Sequence, residues 1–197
     1  MKVYVVKLKW TAMLLVLILF LTACGKNEIQ NAVNWPVEDF NYTNQNGDSF
    51  GLKDLKGKVW VADFIFTNCE DVCLPMTYNM EKLQQMTKKE GIENIQFVSF
   101  SVDPNVDTPD VLKKYGENFN ADFANWSFLT GYKDEEIAKL AMESFKTLVI
   151  KPQEGNQVGH GTDFYLVGPE GNILKAYTGL NDIPFEEIVK DIKTLQD

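Results

Sequence analysis

The 197-residue chain is acidic, with 28 aspartates and glutamates against 19 lysines, a formal net charge of −9 and no arginine. Nucleic acid is therefore a poor partner, because binding phosphate groups requires clustered lysine and arginine. Without arginine, the chain also cannot bind a phosphate or a carboxylate through the paired hydrogen bonds of a guanidinium group. The length fits one domain with a full hydrophobic core.

The first 23 residues have the order of a secretory signal, with lysines, a short apolar run and then small residues. The apolar run, Ala12 to Leu21, is shorter than the roughly 20 residues that span a membrane as a helix. Its end, Leu21–Cys24, resembles the lipobox of bacterial lipoproteins, in which cleavage leaves the cysteine carrying diacylglycerol. The sequence thus predicts a signal peptide over residues 1–23, lipidation of Cys24 and a position on the extracytoplasmic side of the cell membrane. An uncleaved signal anchor with a buried thiol is the alternative.

The remaining chain is predicted to form a polar tether over residues 24–34 and one α/β domain over residues 35–197. The Asn46-Gly47 pair is a strong turn signal and predicts an N-terminal hairpin between Phe40–Tyr42 and Ser49–Phe50. Strands and helices then alternate: strand Val59–Phe66, a helix after Pro75, strand Ile95–Val102, a helix from Thr108, strand Trp126–Leu129, helix Asp134–Phe145, a hairpin around Pro169–Asn172 and helix Pro184–Leu195. This order resembles the thioredoxin superfold, a mixed central sheet flanked by helices.

Cys69 and Cys73 stand between the first long predicted strand and its helix, in FTNCEDVCLPM. A helix N-terminus favours thiolate over thiol, and export favours oxidation. A disulfide across so short a loop constrains the unfolded chain little, and the spacing differs from the Cys-x-x-Cys redox motif. A staple, a redox couple and a metal site remain open at this point, with Met76 predicted to pack in the core rather than bind metal.

His160 is the one histidine of the chain and precedes the terminal hairpin. In thioredoxin-like proteins this position carries a cis-proline that packs against the cysteine loop, so the resemblance implies that the imidazole faces both sulfurs. Gly159 and Gly161 would let the backbone approach closely. Two cysteines and a histidine suit copper or zinc, and their spacing matches no zinc-finger pattern. Three ligands without a fourth favour an open site.

Three segments, TNCEDVCLPM, SVDPNVDTP and GHGTDFYLVGPEG, closely resemble the Sco/SenC family. These are membrane-tethered copper proteins that serve the assembly of cytochrome c oxidase, and the match extends from about Trp35 to the C-terminus. The resemblance implies that Cys69, Cys73 and His160 are copper ligands. Leu74 separates Cys73 from the proline that follows the cysteine directly in many members, so the local turn is expected to differ.

Two aspartates in SVDPNVDTP are expected to lie near the cysteine loop. Asp103 is a candidate for the carboxylate that orients the metal-binding histidine. Asp107 is interpreted as a turn and helix-capping residue.

The sequence therefore predicts a membrane-anchored, extracytoplasmic copper-binding assembly factor. It would deliver copper to, or prepare the thiols of, the dinuclear copper site of cytochrome c oxidase subunit II, as a metallochaperone more than an enzyme. The alternative is a metal-independent thiol-disulfide oxidoreductase that cycles Cys69 and Cys73 as a redox pair. A peroxidase ranks last, because the chain has no arginine to place beside a reactive thiolate.

Overall fold

The computed structural model describes residues 29–69 and 71–196, so the signal peptide and Cys24 lie outside the described residues. These residues include four helices: α1 (Cys73–Lys89), α2 (Pro109–Asn118), α3 (Asp134–Glu143) and α4 (Phe185–Thr194). A short 3-10 helix covers Leu52–Leu55. The strands are β1 (Trp35–Pro36), β2 (Asn41–Asn44), β3 (Ser49–Gly51), β4 (Val59–Ile65), β5 (Ile95–Ser101), β6 (Trp126–Thr130), β7 (Val149–Ile150), β8 (Gly159–His160), β9 (Asp163–Val167) and β10 (Asn172–Thr178).

Eight of these strands form one mixed sheet in the order β1-β10-β9-β4-β5-β6-β2-β3, and β7 pairs with β8 separately. Strand β4 lies inside the sheet, parallel to β5 and antiparallel to β9. All seven β4 residues are buried, which explains its nearly continuous apolar sequence, since helices cover both faces. The end of β4 is therefore a rigid platform for the cysteine segment.

Helices α1 and α2 cover one face of the sheet, where Thr77 of α1 contacts the Tyr115 hydroxyl of α2 at 2.7 Å. Helix α4 packs beside α1, with Lys82 over the Phe185 ring. On the other face, Phe145 follows α3 and contacts a cluster of aromatic rings. The members of that cluster are Trp60, Phe64, Phe100 and Tyr165.

The observed order confirms the mixed sheet flanked by helices and the N-terminal hairpin, in which Tyr42 pairs with Phe50. Two details differ from the sequence prediction. Helix α1 begins at Cys73 rather than after Pro75, and the small β7–β8 hairpin was not predicted. Within the described residues, no helix is both long enough and apolar enough to cross a membrane.

Candidate metal centre

The two cysteines lie where β4 ends and α1 begins. Cys69 is in the connecting loop, and Cys73 is the first residue of α1. The Cys73 backbone amide is one of the helix-start amides that lack a helical acceptor, and it donates to Cys69 Sγ over 3.3 Å. Leu74 and Pro75 continue the helix, because a proline in the first turn removes no helical hydrogen bond. Both cysteines are free thiols.

Met76 lies one turn into α1 and is fully buried in the hydrophobic core. Its predicted place in the hydrophobic core is confirmed.

Asp107 fixes the loop that carries Cys69. Its fully buried carboxylate accepts hydrogen bonds from the Thr67 backbone amide at 3.2 Å, from the Thr67 hydroxyl and from the Ser101 hydroxyl at 2.6 Å. The prediction that Asp107 caps α2 is wrong, because the Thr108 side chain accepts from the α2 amide instead. The position of Asp107 beside the helix in the sequence does not reveal its bond to Thr67, which is 40 positions away.

His160 reaches the site from the β7–β8 hairpin. Val149 lies opposite His160 in this ladder, and Ile150 lies opposite Gly159. The imidazole also packs edge-on against the Phe66 ring, with 5.8 Å between the ring centroids. The hairpin and the phenyl ring together orient the side chain toward the cysteine loop.

Of the two glycines beside the histidine, one allows a close approach. A methyl group on Gly161 would overlap the Thr147 side chain, whereas a methyl group on Gly159 would lie 3.7 Å from the nearest Ile150 atom, an ordinary contact. The predicted close approach is therefore found at Gly161 and not at Gly159.

The sulfurs of Cys69 and Cys73 and a ring nitrogen of His160 all lie within 4.8 Å of one another. Nε2 of His160 is 3.1 Å from Cys73 Sγ, and Nδ1 is 2.8 Å from the Gly161 carbonyl oxygen. Because a carbonyl only accepts, Nδ1 carries the proton and Nε2 presents its lone pair to the sulfur. The nitrogen that can bind a metal thus points at the cysteines.

Burial holds both partners of this contact in their neutral forms. It raises the pKa of the Cys73 thiol well above its ordinary value, and the hydrogen bond with Cys69 adds to the rise. The expected preference of a helix N-terminus for thiolate is outweighed here, because Cys73 is fully buried. Burial also lowers the pKa of His160, which leaves its imidazole neutral at neutral pH. A metal that binds here must displace the thiol proton.

The donor set fits a soft or borderline metal ion, since thiolate and imidazole ligands are typical of copper and zinc. Bonds of about 2.0–2.3 Å would separate three ligand atoms by roughly 3.5–4 Å. That spacing falls between the 3.1 Å Cys73–His160 contact and the 4.8 Å extent of the cluster. Small side-chain movements therefore suffice to bind one ion.

The predicted role of Asp103 in orienting the histidine directly is not found, because Asp103 contacts Lys151 and the imidazole Nδ1 is bonded to Gly161. The Lys151 ammonium is 3.0 Å from Asp103 Oδ1 and 2.7 Å from Asp134 Oδ1. Lys151 directly follows β7, so Asp103 is linked to the hairpin that carries His160.

Asp63 is a buried residue that the sequence patterns above do not single out. It lies in β4 beside Ser99 of β5 and is fully buried. Among the described residues, no group makes a well-formed hydrogen bond to either carboxylate oxygen. Burial raises the pKa of Asp63 to about 7, although the Ser99 hydroxyl opposes the rise. An aspartate inside the apolar run VWVADFIF was the available signal.

The sequence model of the SCO1/SenC family matches residues 30–197. The chain belongs to the SCO1/SenC family. A SCO1 protein homolog of Bacillus subtilis is 49% identical over 176 residues, which cover 89% of this chain and 91% of that protein.

Solved Sco structures share this fold. A SCO1/SenC family lipoprotein from Bacillus anthracis is 51% identical, with a TM-score of 0.83 over 86% of this chain and 99% of that one. BsSco, a Sco family cytochrome c oxidase assembly protein with an identified disulfide switch, is 48% identical, with a TM-score of 0.79 over 85% and 97% of the two chains. Copper-bound ScoI of Bradyrhizobium japonicum is 26% identical, with a TM-score of 0.67 over 81% and 99%. The thioredoxin-like fold is thereby confirmed.

Proposed function

We propose that this protein is a membrane-anchored, extracytoplasmic copper carrier. It delivers copper to, or prepares the thiols of, the dinuclear copper site of cytochrome c oxidase subunit II. The observation that carries the proposal is the convergence of Cys69, Cys73 and His160 within 4.8 Å. The copper-bound ScoI and the oxidase-assembly role of BsSco support copper as the cargo and the oxidase as the partner.

Each ligand has a distinct part in this function. The two thiols supply the soft donors and lose their protons as copper binds, so copper affinity rises with pH. His160 supplies a neutral nitrogen whose orientation is already set by the bond from Nδ1 to the Gly161 carbonyl. Three ligands leave a coordination position open, which suits a carrier that must pass its copper to another protein.

The second candidate function is thiol-disulfide exchange without metal, favoured by two adjacent free cysteines. In that reaction Cys69 and Cys73 give two electrons and two protons to a disulfide of the target. The target disulfide is reduced to two thiols, and a Cys69–Cys73 disulfide forms. A disulfide has no thiolate to offer copper, so oxidation of this pair would also prevent copper loading.

The substitution His160→Ala separates the two functions, since exchange needs two sulfurs and the copper site needs the imidazole as well. We expect His160→Ala to weaken copper binding by the reduced protein by at least 10- to 100-fold, and to abolish oxidase assembly in cells. Oxidation and reduction of Cys69 and Cys73 should persist. Competition titration with a copper chelator and thiol counting measure the two properties.

The disulfide form of the unsubstituted protein is the matched control and should bind no copper at this site. Equal copper uptake by the reduced and disulfide forms would contradict a thiolate site. Normal oxidase assembly by His160→Ala despite weakened copper binding would favour the reductase.

A further inference from the structure

The hairpin that carries His160 has little structure of its own. Strands β7 and β8 have two residues each, and among the described strands they pair only with one another. An isolated two-stranded ladder is marginally stable even when it is longer. The position of the imidazole therefore depends on contacts that tie the hairpin to the rest of the domain.

Lys151 makes a charged contact of this kind immediately after β7. Its ammonium lies between Asp103 of the β5–α2 loop and Asp134 at the start of α3. The Lys151 side chain is 32% exposed and that of Asp103 is 11% exposed. Partial burial reduces screening by solvent, so this network holds its geometry better than an isolated surface ion pair.

The β5–α2 loop contacts both Lys151 and the segment that carries Cys69. The Asp103 carbonyl accepts hydrogen bonds from the amides of Val106 and Asp107, each at 3.0 Å. The Asp107 carboxylate in turn binds Thr67, two residues before Cys69. One rigid loop is thus joined to the cysteine side of the site through Asp107 and to the histidine side through Asp103 and Lys151.

Other contacts also attach the β7–β8 hairpin to the domain, which limits the expected effect of removing Lys151. Gln157 donates to the Asn68 carbonyl at 3.1 Å, and Val158 is buried against the core. Removal of Lys151 should therefore loosen the hairpin without releasing it.

We propose that Lys151, held between Asp103 and Asp134, is a positioning residue that keeps the His160 imidazole against the two cysteine sulfurs. The inference rests on the proposed copper-binding function and adds a determinant that lies outside the ligand set.

A double-mutant cycle tests this role in the full-length reduced protein with copper as the ligand. Lys151→Met should weaken copper binding roughly tenfold, the lower end of the loss seen when groups that orient a ligand are removed. In the His160→Ala background the same substitution should cause no further loss, because the residue acts through the imidazole. Lys151→Arg, which keeps the charge, should restore most of the affinity.

Lys175 is a matched control, because it also joins two carboxylates, Glu187 and Asp191, but ties β10 to α4. Lys175→Met should leave copper affinity unchanged. Hydrogen exchange in the metal-free protein gives a readout independent of copper: Lys151→Met should speed exchange at the β7–β8 amides and leave β4 and β5 unaffected.

Equal losses from Lys151→Met in both backgrounds would overturn the inference, as would unchanged affinity or an equal loss from Lys175→Met. A His160→Ala protein that binds copper normally would instead remove the proposed copper site. In that case, unchanged hairpin exchange in Lys151→Met would independently count against Lys151 as the anchor.

Discussion

The Asp63 carboxyl group is buried on the sheet face that α1 and α2 cover, without a well-formed hydrogen bond from the described residues. An unpaired charge in such a place is costly, so the group holds its proton up to a pKa of about 7. Cys73 and Tyr115 lie close enough for the Asp63 charge to act on them, and burial raises the pKa of both. Both neighbours therefore stay neutral while Asp63 titrates.

Asp63 should make the folded protein less stable as pH rises from about 4 to about 7. The unfolded carboxyl group titrates near pH 4, so within this window the folded state holds a proton that the unfolded state has lost, and stability falls with pH. Above pH 7 the loss in the free energy of unfolding is constant and amounts to at most about 4 kcal/mol. Urea unfolding of the reduced protein and of Asp63→Asn can be measured at about pH 5 and about pH 8. The free energy of unfolding should fall more between these pH values in the unsubstituted protein than in Asp63→Asn. Parallel pH curves for the two proteins would contradict the assignment.

Residue types and spacing were enough to single out Cys69 and Cys73, and the family resemblance added His160. They did not predict the roles of Asp63 and Lys151. The properties of Asp63 depend on the absence of hydrogen-bond partners in the folded core, which a sequence does not display. The role of Lys151 depends on partners that are 48 and 17 positions away in the chain. Asp107 shows the same limit, because its bond to Thr67 depends on two strand ends meeting at one edge of the sheet.

At the scale of elements, long segments with a clear period were predicted well, and short ones were not. The apolar run of β4 and the helical spacing of α1 determine their structure locally. Strands β7 and β8 are too short to show a period, and they exist because tertiary contacts bring Val149 and His160 together. The sequence predicts the start of α1 after Pro75, because the helical spacing of apolar residues becomes visible only from Met76, whereas the helix already begins at Cys73.

The backbone just after β8 passes so close to Thr147 that Gly161→Ala should displace the hairpin. We expect this change to lower the free energy of unfolding by about 1–3 kcal/mol, as for other overpacked sites, and to weaken copper binding by moving His160. Urea unfolding and copper titration measure the two effects.

Gly159→Ala is the control for this prediction, because its methyl group meets only ordinary contacts. It should leave both properties unchanged. Combining Gly161→Ala with Thr147→Ala removes the obstruction and should restore copper affinity. No recovery in the double variant would show that the loss has another cause.

At the scale of the whole molecule, strand β1 and the metal centre lie at opposite ends of the sheet. Trp35 pairs with Ile173, which lies level with the start of β4, whereas the cysteines follow its end. The seven residues of β4 span roughly 20 Å. A lipid on Cys24 would therefore place the metal centre on the side of the domain that faces away from the membrane.

Within the predicted tether, the described residues 29–34 make contacts with the domain. Ile29 is buried, and the Val33 amide donates to the Leu174 carbonyl at 2.9 Å. In the sequence, four residues separate Ile29 from Cys24. We therefore expect a lipid on Cys24 to hold the domain close to the membrane surface.

Because Trp35 and the metal centre lie at opposite ends of the sheet, we expect Cys24→Ser to remove the lipid without disturbing the site. Two acyl chains of a diacylglycerol hold a protein stably, whereas a protein without them leaves the membrane. We expect unchanged unfolding and copper affinity, release from the membrane fraction, and reduced oxidase assembly because the carrier is no longer concentrated beside its partner. Mass spectrometry of the native protein tests the premise directly. A mature Cys24 without lipid would refute the anchor, and weakened copper binding in Cys24→Ser would refute its separation from the site.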